Sequence, residues 1–208
     1  PAVGISSVAL FFWGGSSSST PVVSPPLGGS PLGNSSPNGK KPNSNSNVAV
    51  GNEVNPGEVV NSGVPGPAQD MNTQSELISI YDRSTKNPYY VVEHITPNSL
   101  IKGDSNGDRK NSVFKEDESV PELFRAKLKD YFRSGYDRGH QAPAADAKFN
   151  QIAMDQTFYL TNMSPQVGQG FNRDYWAHFE DFCRRLTKDY KSVRIITGPL
   201  YLPKKGPD

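Results

Sequence analysis

The chain has almost no cysteine: Cys183 stands alone among 208 residues. A single thiol excludes an internal disulfide framework and any cysteine-based zinc-finger spacing, and it fits a reducing or disulfide-indifferent compartment. Histidine is scarce as well, with three in all. An excess of one charge is also missing, since 22 Lys and Arg face 21 Asp and Glu. Overall charge therefore gives only weak support for a phosphate-rich partner, and any such contact must come from cations gathered locally. Long hydrophobic runs are absent too. The most apolar stretch, Pro1 to Trp13, has 13 residues, whereas crossing a bilayer takes about 20. It is uncharged and a polar tether follows it directly, so it reads as the tail of a longer membrane-anchoring or targeting segment.

Gly, Ser, Pro and Asn fill 42 of the first 70 positions, with only Lys40, Lys41, Glu53, Glu58 and Asp70 charged. A segment this poor in apolar surface cannot offset its ordering entropy, and residues 1–64 are expected to be an apolar start followed by a disordered tether. Residues 71–208 carry 20 of the 22 cations and 18 of the 21 anions, a net charge of +2. Residues 65–208 are long enough for one domain with its own core.

Within that domain, Leu77–Tyr81 and Tyr89–Ile95 are β-branched and aromatic and are joined by turn chemistry, which predicts a hairpin. Pro121 opens a predicted helix over Glu122–Phe132. Phe158–Thr161 reads as a short strand. The clearest helix runs from about Arg173 to Tyr190, with Trp176, Phe179, Cys183 and Leu186 spaced 3, 4 and 3 on one face. Cys183 is thereby placed in the core. Val193–Thr197 reads as a strand ended by Gly198-Pro199, and Leu200–Leu202 follows. Segregated helices and antiparallel strands predict an α+β fold.

The chemistry concentrates in Asp137-Arg138-Gly139-His140. His140 is the candidate general base, because a neutral imidazole works near pH 7 and a nearby cation would keep it neutral. Arg138 suits bidentate phosphate contact, and Gly139 lets the backbone approach closely. His94, among strand residues, and His178, on the long helix, read as structural. Asn172 precedes the long helix, where it can cap the first turn or offer its amide oxygen to a hard cation. Glu180 follows about 80° round the helix, so both side chains can reach one side; it is either a solvated acid or a holder of metal-bound water. Mg²⁺ keeps several waters and needs only one or two protein ligands. The loop Asp108-Arg109-Lys110 can supply further positive charge. Arg173, Arg184, Arg185, Lys188, Lys191 and Arg194 could track a nucleic-acid backbone or simply be solvated.

The Asp137–His140 run, Phe158–Gln166 and the stretch from Asn172 to Glu180 together resemble the DNA/RNA non-specific endonucleases of the ββα-metal class, and most closely the fungal members of the mitochondrial endonuclease G group. Tyr81-Asp82-Arg83, Val91–Pro97, Asp108–Asp117 and Thr197–Leu200 extend the resemblance over about residues 65–204. It implies an antiparallel sheet core carrying a ββα-metal motif, truncated at its C-terminal end. It implies a site in which His140 activates water, Asn172 ligates a single Mg²⁺ or Mn²⁺, Glu180 orients metal-bound water and Asn162 supports the geometry. Arg138 and a loop arginine, assigned to Arg109 although Lys110 holds the usual spacing before Phe114, would contact phosphate. DNA and RNA backbones would be the partners, cleaved with little sequence preference to 5′-phosphate ends, and activity would fall below about pH 6 for an imidazole of reference pKa near 6.5. A homodimer, a mitochondrial location and association with the inner membrane are further implications. A binding module without cleavage and a secreted scavenging nuclease are the rival readings; the sequon Asn162-Met163-Ser164 lies inside the proposed site and speaks against the second.

Overall fold

The computed structural model describes residues 5–7, 66, 68–102 and 107–201. The expected tether and the expected domain start at residue 65 lie outside them. The expected hairpin is formed by β3 (Leu77–Asp82) and β4 (Asn87–Ile95). They are the middle of a four-stranded antiparallel sheet, flanked by β2 (Met71–Thr73) and β7 (Val193–Thr197). β2 has no sequence counterpart among the expectations: three residues show too little alternation to register. A second pair joins β5 (Asp137–His140) to β6 (Met163–Gln166), with His140 opposite Met163. Within the apolar start, β1 (Ile5–Ser7) pairs antiparallel with β8 (Pro199–Tyr201).

Each face of the main sheet has its own apolar cluster, which is why β3 and β4 read as nearly unbroken hydrophobic runs. Ile78, Ile80, Tyr90 and Val92 share one face. On the other, Leu77 and Val91 meet Ala142, while Ile95, Val193 and Ile195 meet Phe179, Cys183 and Leu186. The last three belong to a helix whose bounds are Tyr175–Leu186, so the 3-4-3 spacing buries the stripe it predicted. Burial pushes the Cys183 thiol up to about 12, which leaves it a small inert core residue.

Two expectations fail for tertiary reasons. Residues 122–132 do not form one helix. A single turn at Glu122–Phe124 is followed by extended backbone at Arg125 and Lys127, then by α1 (Leu128–Tyr131). The Tyr81 hydroxyl donates to the Phe124 carbonyl at 2.9 Å and accepts from the Ala126 amide at 2.9 Å. That carbonyl would otherwise have accepted from the Leu128 amide, which donates instead to Glu116 at 3.1 Å. A buried tyrosine therefore outcompetes the local helix. Phe158–Thr161 is no strand either. It makes one parallel bridge, between Lys115 and Tyr159, and then turns at Leu160–Asn162. Two more helices complete the description: α2 (Gln151–Gln156), capped by the Asn150 side chain, and α3, the Tyr175–Leu186 helix above. Strands β5 and β6 followed by α3 give the ββα arrangement.

Candidate active site

His140 ends β5 and is 7% exposed. Phe158 meets it edge-on with ring centroids 4.9 Å apart, and Phe114 lies 5.7 Å away. Its Nε2 is buried without a hydrogen-bond partner. Burial first, and then the charge of Arg109, push the imidazole from its ordinary 6.5 down to about 3, because removing the ring from water penalises its cationic form. The ring is thus held in its neutral form.

The two arginines singled out in the sequence sit on the two rings that wall this histidine. The Arg109 guanidinium lies 5.5 Å from the Phe158 centroid, and that of Arg138 lies 4.2 Å from the Phe114 centroid. Cation–π placement of this kind holds a long side chain in position while its charge stays in water. Neither arginine forms an ion pair with another described residue. Lys110 is exposed, and its backbone amide donates to Asp108 in the loop turn.

Asn172 is not a helix cap. Asp174 holds the cap position of α3 and makes no side-chain bond there. The Asn172 Nδ2 instead donates to Asp137 Oδ2 at 2.9 Å, leaving Oδ1 as its acceptor. Arg173 reinforces this junction with a bidentate contact to Asp137 at 2.8 and 2.7 Å, and the Trp176 indole donates to the His140 carbonyl at 3.0 Å. Asp137 lies one residue from Arg138 in the same run, and nothing in the sequence singles it out. Only the contact shows that it ties β5 to the start of α3. Its carboxyl is held below the usual range, chiefly by Arg173.

Glu180 is half-buried in α3. Burial, then Asp146, push its carboxyl up to about 7, against the pull of Arg184 and Arg109. Asp146 is itself buried and accepts from Arg184 at 3.0 Å. Arg184 therefore belongs to the interior, and with Arg173 bound to Asp137 and Arg185 paired with Asp181, the six basic residues of this region form no continuous free track. His94 contacts Ser192 Oγ at 2.6 Å and is structural; His178 is exposed on α3.

Asn162 is completely buried, so it positions rather than touches a substrate. It accepts from the Ala142 amide at 3.0 Å and donates to the carbonyls of Ala142 and Thr157 at 2.9 and 2.8 Å. These bonds fix the chain just after His140, and the buried amide leaves no room for a glycan. Gly139 has a different reason from the one its sequence context suggested. A Cβ there would lie 2.1 Å from the Gln166 side chain, so the close approach is to the neighbouring strand. Among the described residues, no group of three or more His, Cys, Asp and Glu side chains is arranged to hold a metal ion. A cation here would have to rely on Asn172, Glu180 and water.

This geometry has known counterparts. The chain is 67% identical over 168 residues to the mitochondrial nuclease of Saccharomyces cerevisiae, covering 81% of this chain and 50% of that protein. It is 43% identical over 152 residues to human mitochondrial endonuclease G, covering 73% and 50%. The solved structure of an EndoG/EndoGI complex superimposes with a TM-score of 0.68 at 48% identity, over 72% of this chain and 60% of that one. The chain thus spans about half the length of the curated relatives it matches. A family model described as DNA/RNA non-specific endonuclease matches residues 55–207. Taken with the ββα arrangement around His140, these likenesses show that the chain belongs to the DNA/RNA non-specific endonuclease family.

Proposed function

We propose that this chain carries the reaction centre of an endonuclease that hydrolyses both DNA and RNA. The observation that carries the reading is the neutral His140 held between two rings, each bearing an arginine with no counter-ion among the described residues. Arg109 and Arg138 would bind the non-bridging oxygens of a phosphodiester, a geometry suited to planar guanidinium groups. Contacts confined to the backbone carry no sequence information, and nothing in them needs or excludes a 2′-hydroxyl. The lone pair of the neutral His140 ring takes a proton from water, whose oxygen attacks phosphorus. The P–O3′ bond breaks as the new P–O bond forms, and the departing O3′ takes a proton from solvent water, giving a 5′-phosphate and a 3′-hydroxyl. The Trp176 indole holds the His140 carbonyl, and Asn162 holds the backbone of Ala142 just beyond it, during this step.

The residues fit one divalent cation of the hard type. Asn172 keeps an amide oxygen free while its nitrogen is held by Asp137, and Glu180 offers a carboxylate from the same helix region, an all-oxygen donor set sparse enough for a hydrated Mg²⁺ or Mn²⁺. When bound, such an ion supplies charge stabilisation at the phosphoryl and leaving oxygens. A mitochondrial location follows from the relatives named mitochondrial nucleases in Saccharomyces cerevisiae and Schizosaccharomyces pombe. No helix among the described residues is long and apolar enough to cross a membrane.

The test is digestion of plasmid DNA and of RNA with Mg²⁺ or Mn²⁺ and with chelator, using wild type, His140→Ala and Asn172→Ala, each checked for folding by circular dichroism. The expected result is cation-dependent loss of both polymers, abolished in His140→Ala with nucleic-acid binding retained, and loss of the cation-dependent rate in Asn172→Ala. Degradation by His140→Ala at the wild-type rate overturns the base assignment. Binding without cleavage by folded wild type overturns the enzyme reading in favour of a binding module.

A further inference from the structure

Beside the reaction centre lies a cavity of about 460 Å³ lined by Leu128, Lys129, Tyr131, Phe132, Arg133 and Arg138. That volume falls within the range of about 300–1,000 Å³ typical of ligand sites. Its position is fixed by Arg138, which both lines it and lies over Phe114 at the histidine. Its chemistry is one-sided, with Lys129, Arg133 and Arg138 as cations and no acidic residue in the lining. None of these cations forms an ion pair with another described residue. Asp130, the nearest acid along the chain, spends a carboxylate oxygen on the Lys127 amide.

Phe132 gives the cavity a flat apolar wall. It is 72% exposed, although its neighbour Tyr131 is buried and anchors α1. The Arg133 guanidinium covers the ring at 5.1 Å. Arg133 also has a positive φ, at 55°, a conformation that disfavours a branched Cβ and persists only where the surroundings impose it. The Ser134 amide and hydroxyl both bond to the Tyr131 carbonyl, at 3.2 and 2.9 Å, and lock this turn. Gly135 follows at φ 84° and leads the chain into β5. The same turn therefore holds out the phenyl ring and delivers Arg138 and His140 to the site.

An exposed ring edged by unpaired cations matches a planar group attached to an anion. We infer that this cavity is a substrate subsite in which an unpaired base of the nucleic-acid strand stacks on Phe132 while its phosphate is held by Lys129, Arg133 and Arg138. The inference rests on the nuclease reading of the adjoining site and adds a specificity to it. Stacking on Phe132 requires a base free of its duplex partner, so single strands and opened duplexes bind better than intact duplex. Because every base has a π-face, the subsite is indifferent to sequence.

The experiment measures, by fluorescence anisotropy with a labelled oligonucleotide in chelator, the affinity of wild type, Phe132→Ala and Phe132→Trp for a single strand and for the matching duplex. It also measures kcat and KM on the single strand with Mg²⁺. Phe132 is exposed, so its replacement leaves folding intact. Phe132→Ala is expected to weaken single-strand binding by about 10-fold, the loss of one base–aromatic stack, with a much smaller effect on duplex. KM rises and kcat holds. Phe132→Trp restores affinity, and its added indole emission is quenched by the strand. Equal loss on both substrates, no loss, or a fall in kcat alone overturns the subsite. If wild type binds the strand but does not cleave it, the nuclease reading falls while the Phe132 comparison still decides the subsite. If wild type does not bind the strand, the subsite falls.

Discussion

A buried imidazole with a pKa near 3 is always ready to accept a proton but has little intrinsic appetite for one, and catalysis favours a base whose pKa lies nearer the working pH. In the proposed mechanism the substrate would resolve this conflict: a phosphodiester seated between Arg109 and Arg138 would bring negative charge beside the ring and offset the field of Arg109, so that proton affinity would rise when water must be deprotonated. The acid limb expected near pH 6 from an unperturbed histidine accordingly moves to lower pH. In the free protein the His140 side-chain resonance, followed by NMR, should titrate well below 6.5 and should move upward in Arg109→Gln and on binding an uncleavable oligonucleotide. A free-protein titration at 6.5, or one insensitive to Arg109, sinks this account. The stability consequence has the same origin. The folded pKa lies below the unfolded value, so the contribution of His140 is complete above about pH 6.5 and is lost as pH falls towards the folded value.

The junction between β5 and α3 is where two elements make one site. Asp137 accepts from Asn172 and from Arg173, and by holding the Asn172 nitrogen it fixes which way the amide oxygen faces. Its partner Arg173 is largely exposed, so the ion pair adds little to stability. Asp137→Ala should therefore shift the denaturant midpoint little. Losing a partner that orients a metal ligand typically costs about 10–100-fold in metal affinity or activity, and that loss should appear as a higher Mg²⁺ concentration for half-maximal rate. Wild-type cation dependence in this variant would remove Asp137 from the site. The contrast with sequence legibility is physical. α3 is readable because its apolar stripe repeats with the helical period, and the β3–β4 hairpin because two β-branched and aromatic runs flank a segment of turn residues. Residues 122–132 are not, because the Tyr81 hydroxyl that breaks them comes from more than 40 residues away. His140, Arg138, Asn172 and Glu180 stand out by residue type and spacing. The rings of Phe114 and Phe158, the Asp137 tie and the Phe132 wall are contacts between distant segments, and no local pattern announces them.

The near-neutral charge of the whole chain hides a separation in depth. Unpaired arginines stand at the surface of the site, while carboxyls are sunk below it. Glu76, Glu93 and Asp146 are almost fully buried; neither oxygen of Glu76 has a hydrogen-bond partner, and each of the other two has one oxygen without. Arg184 is the cation that lowers both Glu93 and Asp146. Burial, followed by mutual repulsion, drives Glu76 well above its ordinary range; burial likewise holds Glu93 far above its own and Asp146 near 6. These groups are accommodated most readily in the protonated form. For a folded pKa raised above the unfolded one, the stabilisation is full below the unfolded value and is lost as pH rises through the folded value. The interior carboxyls thus oppose His140, and the fold should be most stable in mildly acidic solution, with the melting temperature falling as pH rises through neutrality. Glu76→Gln keeps the shape and polarity of the side chain but cannot ionise. It should melt above wild type on the alkaline side, with the gap closing as pH falls towards the ordinary glutamate range. Calorimetry of the two proteins across that span decides the matter, since parallel curves would mean that Glu76 never carries the buried charge assigned to it.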